Sequence, residues 1–443
     1  MTYSLGSLFD GSGGFPLAGT LCGVEPRWAS EVEPYPIAVT RSRFPKMKHL
    51  GDISKINGAE IEPVDIITFG SPCQDLSMAG KRAGISEGTR SGLFIEAVRI
   101  IKEMSEATNG KYPTFALWEN VPGAFSSNKG EDFRTVLEEL IKIVEPQAVV
   151  PEVPQKGWNY ADSYRGNGWS LAYRVLDSQH WGVPHRRRRI HLVLDLRGGR
   201  ARQVLFEREG LRGNFKTSRT PWQSTTAEIQ KSLRAESSTV VIDSIGGQAE
   251  YAKESMVNPT LRAANIGAIA YDVRRASEAN VSPTLDTVDP CPNKNQGGIA
   301  IVHSIGLNNS QVCPTLIAGM SSAVGTTQDN LIVTDYSDVE NYIVRRLTPT
   351  ECARLQGFPD KWGHPKTKTE LTEEAFRFWT EVRNTHAAIN GKVVRDYTEA
   401  QMLAWYNKLH SDSAEYKMWG NGIALPTALY CMQGLAEALA ETA

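Results

Sequence analysis

The sequence predicts an α/β fold, with a doubly wound, mostly parallel sheet joined to a smaller domain rich in strands and loops. Three observations carry this. Through roughly the first 195 residues, short apolar runs are followed by a glycine- or acid-bearing turn and then an amphipathic segment, the rhythm of βαβ units. From about residue 197 to 343 that rhythm stops, and Gly, Asn, Ser and Thr take over. At 443 residues the chain exceeds the size at which one core keeps growing, so two domains are expected.

The opening unit runs from Tyr3 to Phe9 as a strand, through Asp10-Gly11-Ser12-Gly13-Gly14 as a turn, into an apolar helix from Pro16 to Cys22. Glycines there let backbone approach a ligand, although many such turns only cap a helix. Trp28 to Glu31 reads as a second strand ending in an acid, where a ribose-binding carboxylate belongs in such folds. Gly51-Asp52-Ile53 closes a third segment with another carboxylate. Three strand ends with glycine or acid point to a small cofactor carrying an adenosine.

Val64 to Phe69 is apolar and β-branched, a buried strand stopped by Gly70 and Pro72, and it delivers Cys73 to the strand exit where open α/β sheets bind ligands. A free cysteine is equally often a small buried hydrophobe. The glycine-rich stretch that follows, with Lys81, Arg82 and Arg90, has the composition of a long mobile loop. Apolar residues then recur at helical spacing from Ser91 to Met104. Phe115 to Trp118 is a strand ended by Glu119-Asn120, a carboxylate that either faces the crevice near Cys73 or caps a helix starting near Pro122. A helix over 133–144 and a strand from Ser170 to Leu176 follow. His185-Arg186-Arg187-Arg188-Arg189 then runs into the apolar Ile190 to Leu194, so alternate arginines must point to opposite faces of a strand. Two of them can face the crevice, where a guanidinium fork suits phosphate or a base carbonyl.

In the middle region a near-repeat, Val-x-Pro-Thr-Leu, begins at Val257, Val281 and Val312, and each copy precedes a short apolar strand at 268–271, 299–302 and 331–333. Such hairpin-like units present loops to a partner. Regular structure returns with a helix capped by Thr348, Pro349 and Glu351, then two charged amphipathic helices within 367–412, then Trp419-Gly420-Asn421-Gly422 and an apolar helix from Thr427 to Ala440.

Taken together and in order, these stretches resemble the DNA (cytosine-5) methyltransferases of bacteria and phages. Phe9 to Gly14 is similar to the family's cofactor glycine loop, Gly70-Ser71-Pro72-Cys73-Gln74 to its nucleophile motif, and Glu119-Asn120-Val121 to the motif that holds the base. Arg187 and Arg189 match its paired arginines, Arg345 to Pro359 the segment beside its DNA-recognition region, and Gly420-Asn421-Gly422 the turn that returns to the cofactor. The sequence departs at Ser71 and Leu76, where Phe is common, and at His185, where Gln is frequent. Ser71 is expected to alter cofactor packing. The stretch 361–412 is longer than the family's usual connection, and no role is read for it.

The resemblance implies a Rossmann-like class I methyltransferase domain over 1–196, rejoined by 413–443. It implies a target-recognition domain over 197–360 that includes its C-terminal helix, and leaves 361–412 as a helical insertion. The implied reaction moves a methyl group from S-adenosylmethionine to C5 of a cytosine flipped out of specific duplex DNA. Cys73 would add to C6, Glu119 would hold N3, Arg189 would contact O2 and Arg187 a phosphate or the loop. Phe9, Asp10, Gly11, Gly13, Gly14, Glu31, Asp52, Ile53, Gly70, Pro72 and Asn421 would form the cofactor site. Lys81, Arg82 and Arg90 would meet DNA phosphates.

Other classes fit less well. A Rossmann oxidoreductase leaves Cys73, Glu119 and the arginine strand unexplained. A zinc deaminase needs H-x-E and P-C-x-x-C, which are absent, and no P-loop spacing surrounds Lys81. An RNA cytosine methyltransferase and a catalytically silent relative remain as rivals within the resemblance. The net charge of −2 does not announce a nucleic-acid binder, so positive charge must gather on one face. No run reaches membrane-spanning length, the six cysteines form no C-x-x-C pair, and no carboxylate–histidine cluster calls for a catalytic metal. The chain is therefore expected to be a cytoplasmic monomer without metal, with any cognate restriction endonuclease acting separately.

Overall fold

The computed structural model describes residues 2–72, 92–206, 239–244, 298–304, 342–345 and 347–441. The first part runs β1 (Tyr3–Leu8), α1 (Gly14–Leu21), β2 (Val24–Ser30), α2 (Pro34–Arg43), β3 (Lys48–His49), β4 (Ile66–Phe69), α3 (Leu93–Ala107), β5 (Phe115–Asn120), α4 (Glu131–Val144), β6 (Ala161–Arg165), β7 (Ser170–Asp177), β8 (Arg188–Asp195) and α5 (Ala201–Leu205). These strands form one sheet in the order β3-β2-β1-β4-β5-β8-β7-β6. From β3 to β5 every pairing is parallel, whereas β8, β7 and β6 join antiparallel. The expected α/β sheet is present, and its antiparallel third begins at the arginine strand.

The strand order reverses between β1 and β4, the point at which open α/β sheets leave a crevice beyond their carboxyl ends. Period-two alternation supplies both faces of the sheet. Ile66, Leu117 and Val193 fall in one buried cluster, and their neighbours Ile67, Trp118 and Leu192 in the other. Helices α3 and α4 cover the second face through Phe94, Ile101, Phe133 and Leu137. The first is covered by α1, by α5 and by two elements from the far end of the chain. These are α6 (Pro349–Leu355), whose Leu347–Phe358 surroundings pack beside Phe15, and the last helix. Thr348 and Glu351 form the expected reciprocal cap on α6.

Two helices follow α6, α7 (Glu373–Ile389) and α8 (Glu399–Asn407), the two helices expected within 367–412. Their apolar sides meet each other and Ile37 and Ala38 of α2 through Trp379, Val382, Met402 and Tyr406. The chain then forms α9 (Asp412–Asn421) and α10 (Leu425–Ala440), and α10 packs on α1 and α5 through Ala428, Cys431 and Leu435. Among the described residues no single helix is long and apolar enough to cross a membrane.

Between α5 and α6 the described residues hold β9 (Thr239–Ser244), β10 (Gly298–Ser304) and β11 (Tyr342–Arg345), an antiparallel sheet with β10 in the centre. Strand β10 contains the expected 299–302 run. The expected strands at 268–271 and 331–333 and the three Val-x-Pro-Thr-Leu segments lie outside the described residues.

Pro26 lacks an N–H for the β1–β2 ladder, and the register slips one residue there, pairing Leu5 with Pro26 and Gly6 with Trp28. The fully buried Trp28 ring then lies over Gly6, where an added Cβ would sit 2.2 Å from Cζ2. Gly6→Ala must move an indole that has no room to move. It is expected to lower the denaturant midpoint by the equivalent of about 1–3 kcal/mol with the slope unchanged.

Candidate active site

The crevice is lined first by the end of β1. Phe9 takes a left-handed backbone (φ 57°), as does Gly11 (φ 54°), and the turn folds back so that Asp10 N–H donates to Ser30 O at 3.1 Å. Asp10 is buried. Its Oδ1 accepts from Ser7 Oγ at 2.7 Å, and its Oδ2 has no hydrogen-bond partner. Burial, reinforced by the Glu31 charge, pushes the Asp10 carboxyl up to about 8 despite the Ser7 bond. Glu31, just past β2, is fixed by three backbone donors, Gly11 N–H at 2.9 Å, Val32 N–H at 2.7 Å and Glu33 N–H at 2.9 Å, while burial raises its pKa. Asp52 caps a single turn over Ile53–Lys55, with Oδ1 accepting from Ser54 N–H and Oγ; Ile53 points into the core.

Gly13 and Gly14 serve close packing. A Cβ on Gly13 would meet Thr40 Cγ2 at 2.9 Å, and one on Gly14 would meet Ile423 Cγ2 at 2.4 Å. The loop is held from the far end of the chain by Trp362, whose Nε1 donates to Ser12 O at 2.8 Å. The Gly420-Asn421-Gly422 turn closes over it, since a Cβ on Gly422 would lie 2.9 Å from Ser12 Oγ; Asn421 itself is exposed at the end of α9.

At the ends of β4 and β5 the chain brings Gly70, Ser71 and Pro72 beside Glu119 and Asn120. Gly70 keeps this approach uncrowded, since a Cβ there would stand 3.3 Å from Glu119 Oε2. Ser71 Oγ accepts from Trp118 Nε1 at 3.2 Å and its carbonyl from Asn120 Nδ2 at 3.0 Å, which anchors the strand exit. Pro72 is exposed, and Cys73 follows it outside the described residues, as do Lys81, Arg82 and Arg90.

The arginine strand alternates as expected, with Arg187 and Arg189 buried and Arg186 and Arg188 exposed. Arg189 Nε meets Glu119 Oε1 at 3.2 Å across the antiparallel β5–β8 pair. Glu119 does not cap the turn after it: the cap position of the Pro122–Phe125 turn is Val121, without a side-chain bond. Burial raises the Glu119 pKa, and the Arg189 and Arg187 charges oppose the rise. The guanidinium of Arg187 reaches the turn at the far end of the chain through one nitrogen. Its Nη2 donates to Gly420 O and Gly422 O, and its N–H donates to Asp177 Oδ1 at 3.0 Å. Its Nε and Nη1 are buried without partners. His185 is fully buried, with Nδ1 3.0 Å from Leu355 O.

Sequence reasoning named Trp118 and Asn120 but not their anchoring of Ser71, and it overlooked the Trp362 brace and the contact of His185 with Leu355 of α6. Of these only the immediate neighbours of Glu119 carried a signal, being the residues on either side of the acid in the same strand.

An open α/β sheet with acids at its β1 and β2 ends and a buried carboxylate–guanidinium pair at its β5 end sets these groups in the crevice where such sheets bind ligands. The family model for C-5 cytosine-specific DNA methylase matches residues 3–144 and 159–376, and the chain belongs to that family. It is 28% identical over 478 residues to "DNA N-6-adenine-methyltransferase" of Escherichia phage P1, an alignment that takes in 95% of this chain and 59% of that protein. With type II methyltransferase M2.BsuMI of Bacillus subtilis it shares 32% identity over 190 residues, 43% of this chain and 41% of the relative. The chain thus spans about half the length of these two relatives. Superposition on the S. pombe Dnmt2 methyltransferase covers 99% of both chains with a TM-score of 0.44 at 14% identity.

The buried Asp10 has a consequence for stability. With its pKa near 8 against an ordinary 3.8, the folded chain keeps a proton that the unfolded chain has released, so this contribution to stability is full below pH 4 and is lost as pH rises toward 8. Melting temperatures measured from pH 5 to 8 without cofactor should fall less steeply for Asp10→Asn than for wild type. The difference in slope has a ceiling of about 1.4 kcal/mol per pH unit for one proton, and parallel curves would contradict the assignment.

Proposed function

We propose that the chain is a DNA (cytosine-5)-methyltransferase acting on a flipped cytosine in duplex DNA. The observation that carries this is the Glu119–Arg189 pair, a raised-pKa carboxyl beside a guanidinium, set against the Gly70–Pro72 strand exit that leads directly into Cys73. Cytosine C5 is a poor nucleophile until a thiolate adds to C6 and turns the ring into an enamine. Cys73 is assigned that addition. Glu119, when protonated or sharing a proton with the base, would hydrogen-bond N3 and offset the charge developing there, a role its raised pKa favours, and Arg189 would hold O2. Once C5 has taken the methyl group, loss of the C5 proton expels the Cys73 thiolate from C6 and restores the aromatic ring.

The donor set suits S-adenosylmethionine. Asp10 Oδ2 is a buried carboxyl oxygen without a partner; Glu31 accepts backbone donors on both oxygens and keeps a further acceptor position on Oε2, and Asp52 accepts Ser54 N–H and Oγ through Oδ1 alone, so both retain acceptor capacity for hydroxyl or amino groups. When bound, this cofactor supplies the methyl group. Phe9 would stack on its adenine, and Gly11, Gly13, Gly14, Ile53 and Gly70 would shape the cradle. Arg187 would act through the Gly420–Gly422 turn and so keep Asn421 at the rim.

On the same reading Lys81, Arg82 and Arg90 meet phosphates, the 197–360 region reads bases, and the chain works as a cytoplasmic monomer with any cognate endonuclease separate. The phage P1 relative's name speaks of adenine N6. Methylation of an exocyclic amine needs no thiolate addition to a ring carbon and would leave Cys73 and the N3 donor without work.

The test is transfer from methyl-labelled S-adenosylmethionine to mixed-sequence duplex DNA, followed by nucleoside mass spectrometry. Label in 5-methyldeoxycytidine is expected, absent with Cys73→Ala and lowered about 10²–10⁴-fold with Glu119→Ala. Label in N6-methyldeoxyadenosine, or faster transfer to tRNA than to duplex DNA, would overturn the reading.

A further inference from the structure

Away from the crevice, three chain segments bring His364, His410 and Glu415 together. His410 Nε2 lies 3.0 Å and His364 Nε2 3.6 Å from the same oxygen, Glu415 Oε2, and one ligand atom from each residue falls within 4.8 Å of the others. Glu415 is 2% exposed, whereas both imidazoles reach solvent. The other carboxylate oxygen, Oε1, accepts from Trp419 Nε1 at 3.2 Å, and this bond turns Oε2 toward the histidines. The backbone makes room for the arrangement: a Cβ on Gly363 would lie 2.5 Å from Glu415 Oε1, and Tyr35 Oη donates to Gly363 O, pinning the loop that carries His364.

We propose that His364, His410 and Glu415 bind a divalent first-row transition cation such as Zn²⁺. Two imidazoles and a carboxylate are borderline donors suited to these metals, with bonds of about 2.0–2.2 Å. Ligand atoms on a tetrahedron of that size stand about 3.3 Å apart, close to the two separations seen. The Trp419 bond to the far carboxylate oxygen is the kind of outer contact that orients a ligating group. The exposed side of the two rings leaves a fourth position for water. The metal would tie the loop after α6 and the short connection after α8 to α9, the helix that ends at Asn421. It would thereby give the 361–412 stretch a structural attachment to the glycine loop, since Trp362 in the same loop holds Ser12.

The experiment uses full-length protein stripped with a chelator, its accessible thiols alkylated so that cysteines cannot compete, and titrated calorimetrically with Zn²⁺. One Zn²⁺ per chain is expected, with a rise in melting temperature. Co²⁺ should give the intense visible absorption of a four-coordinate site. His364→Ala and His410→Ala, at exposed side chains and with circular dichroism matching wild type, should each weaken Zn²⁺ binding at least about 100-fold and abolish the Co²⁺ band. Absence of saturable binding by wild type, or equal binding by wild type and both variants, would overturn the site.

Discussion

Most of the site depends on one contact, the ion pair between Glu119 at the end of β5 and Arg189 on β8. The two strands are antiparallel neighbours, and this is where the parallel part of the sheet ends. A carboxylate moved out of water without a partner would simply take up a proton or disrupt the fold. The guanidinium lets Glu119 sit in a buried position with its pKa raised by desolvation yet restrained by positive charge. That balance suits an acid that must present a proton without losing its ability to ionise. Gly70 is tied to the same contact, because a Cβ there would press to 3.3 Å from Glu119 Oε2.

A second constraint is that the two ends of the chain complete one another. The first-face core mixes Phe15 and Ala18 of α1 with Leu355, Phe358, Leu425 and Ala428 from beyond residue 347. Arg187 reaches from the β8 entrance to the carbonyls of Gly420 and Gly422, and Trp362 reaches to Ser12. The pKa of the buried Arg187 guanidinium is lowered by desolvation and by Arg189, with Glu119 raising it, so the braces and the Glu119–Arg189 pair share one electrostatic setting. The glycine loop is thus shaped by residues that follow it by several hundred positions.

Local chemistry made much of this legible. The β-branched runs, the Thr348–Glu351 cap and the alternation of Arg186 to Arg189 are short-range patterns, and the folded chain carries them as expected. The β6 strand and the helices α2 and α9 escaped notice because they are short or contain Pro and polar residues that mute periodicity. The anchoring of Ser71 by Trp118 and Asn120 escaped for another reason: partners 47 and 49 residues apart are joined only by the β4–β5 pairing. Arg187 shows the same limit, since its burial could be read from alternation but its partner turn could not. The meeting of His364 with His410 and Glu415 likewise depends on how α7 and α8 fold back.

The central claim is that the Glu119–Arg189 pair serves a covalent addition by Cys73. The most direct measurement incubates the protein with duplex DNA carrying 5-fluorocytosine and with S-adenosylmethionine, then digests the product and sequences the peptide joined to DNA. Fluorine at C5 cannot leave as a proton, so the ring stays attached. The account predicts a denaturant-stable adduct on the peptide containing Cys73, dependent on cofactor and lost in Cys73→Ala. Binding of DNA and cofactor with no adduct, or an adduct at another residue, would contradict it.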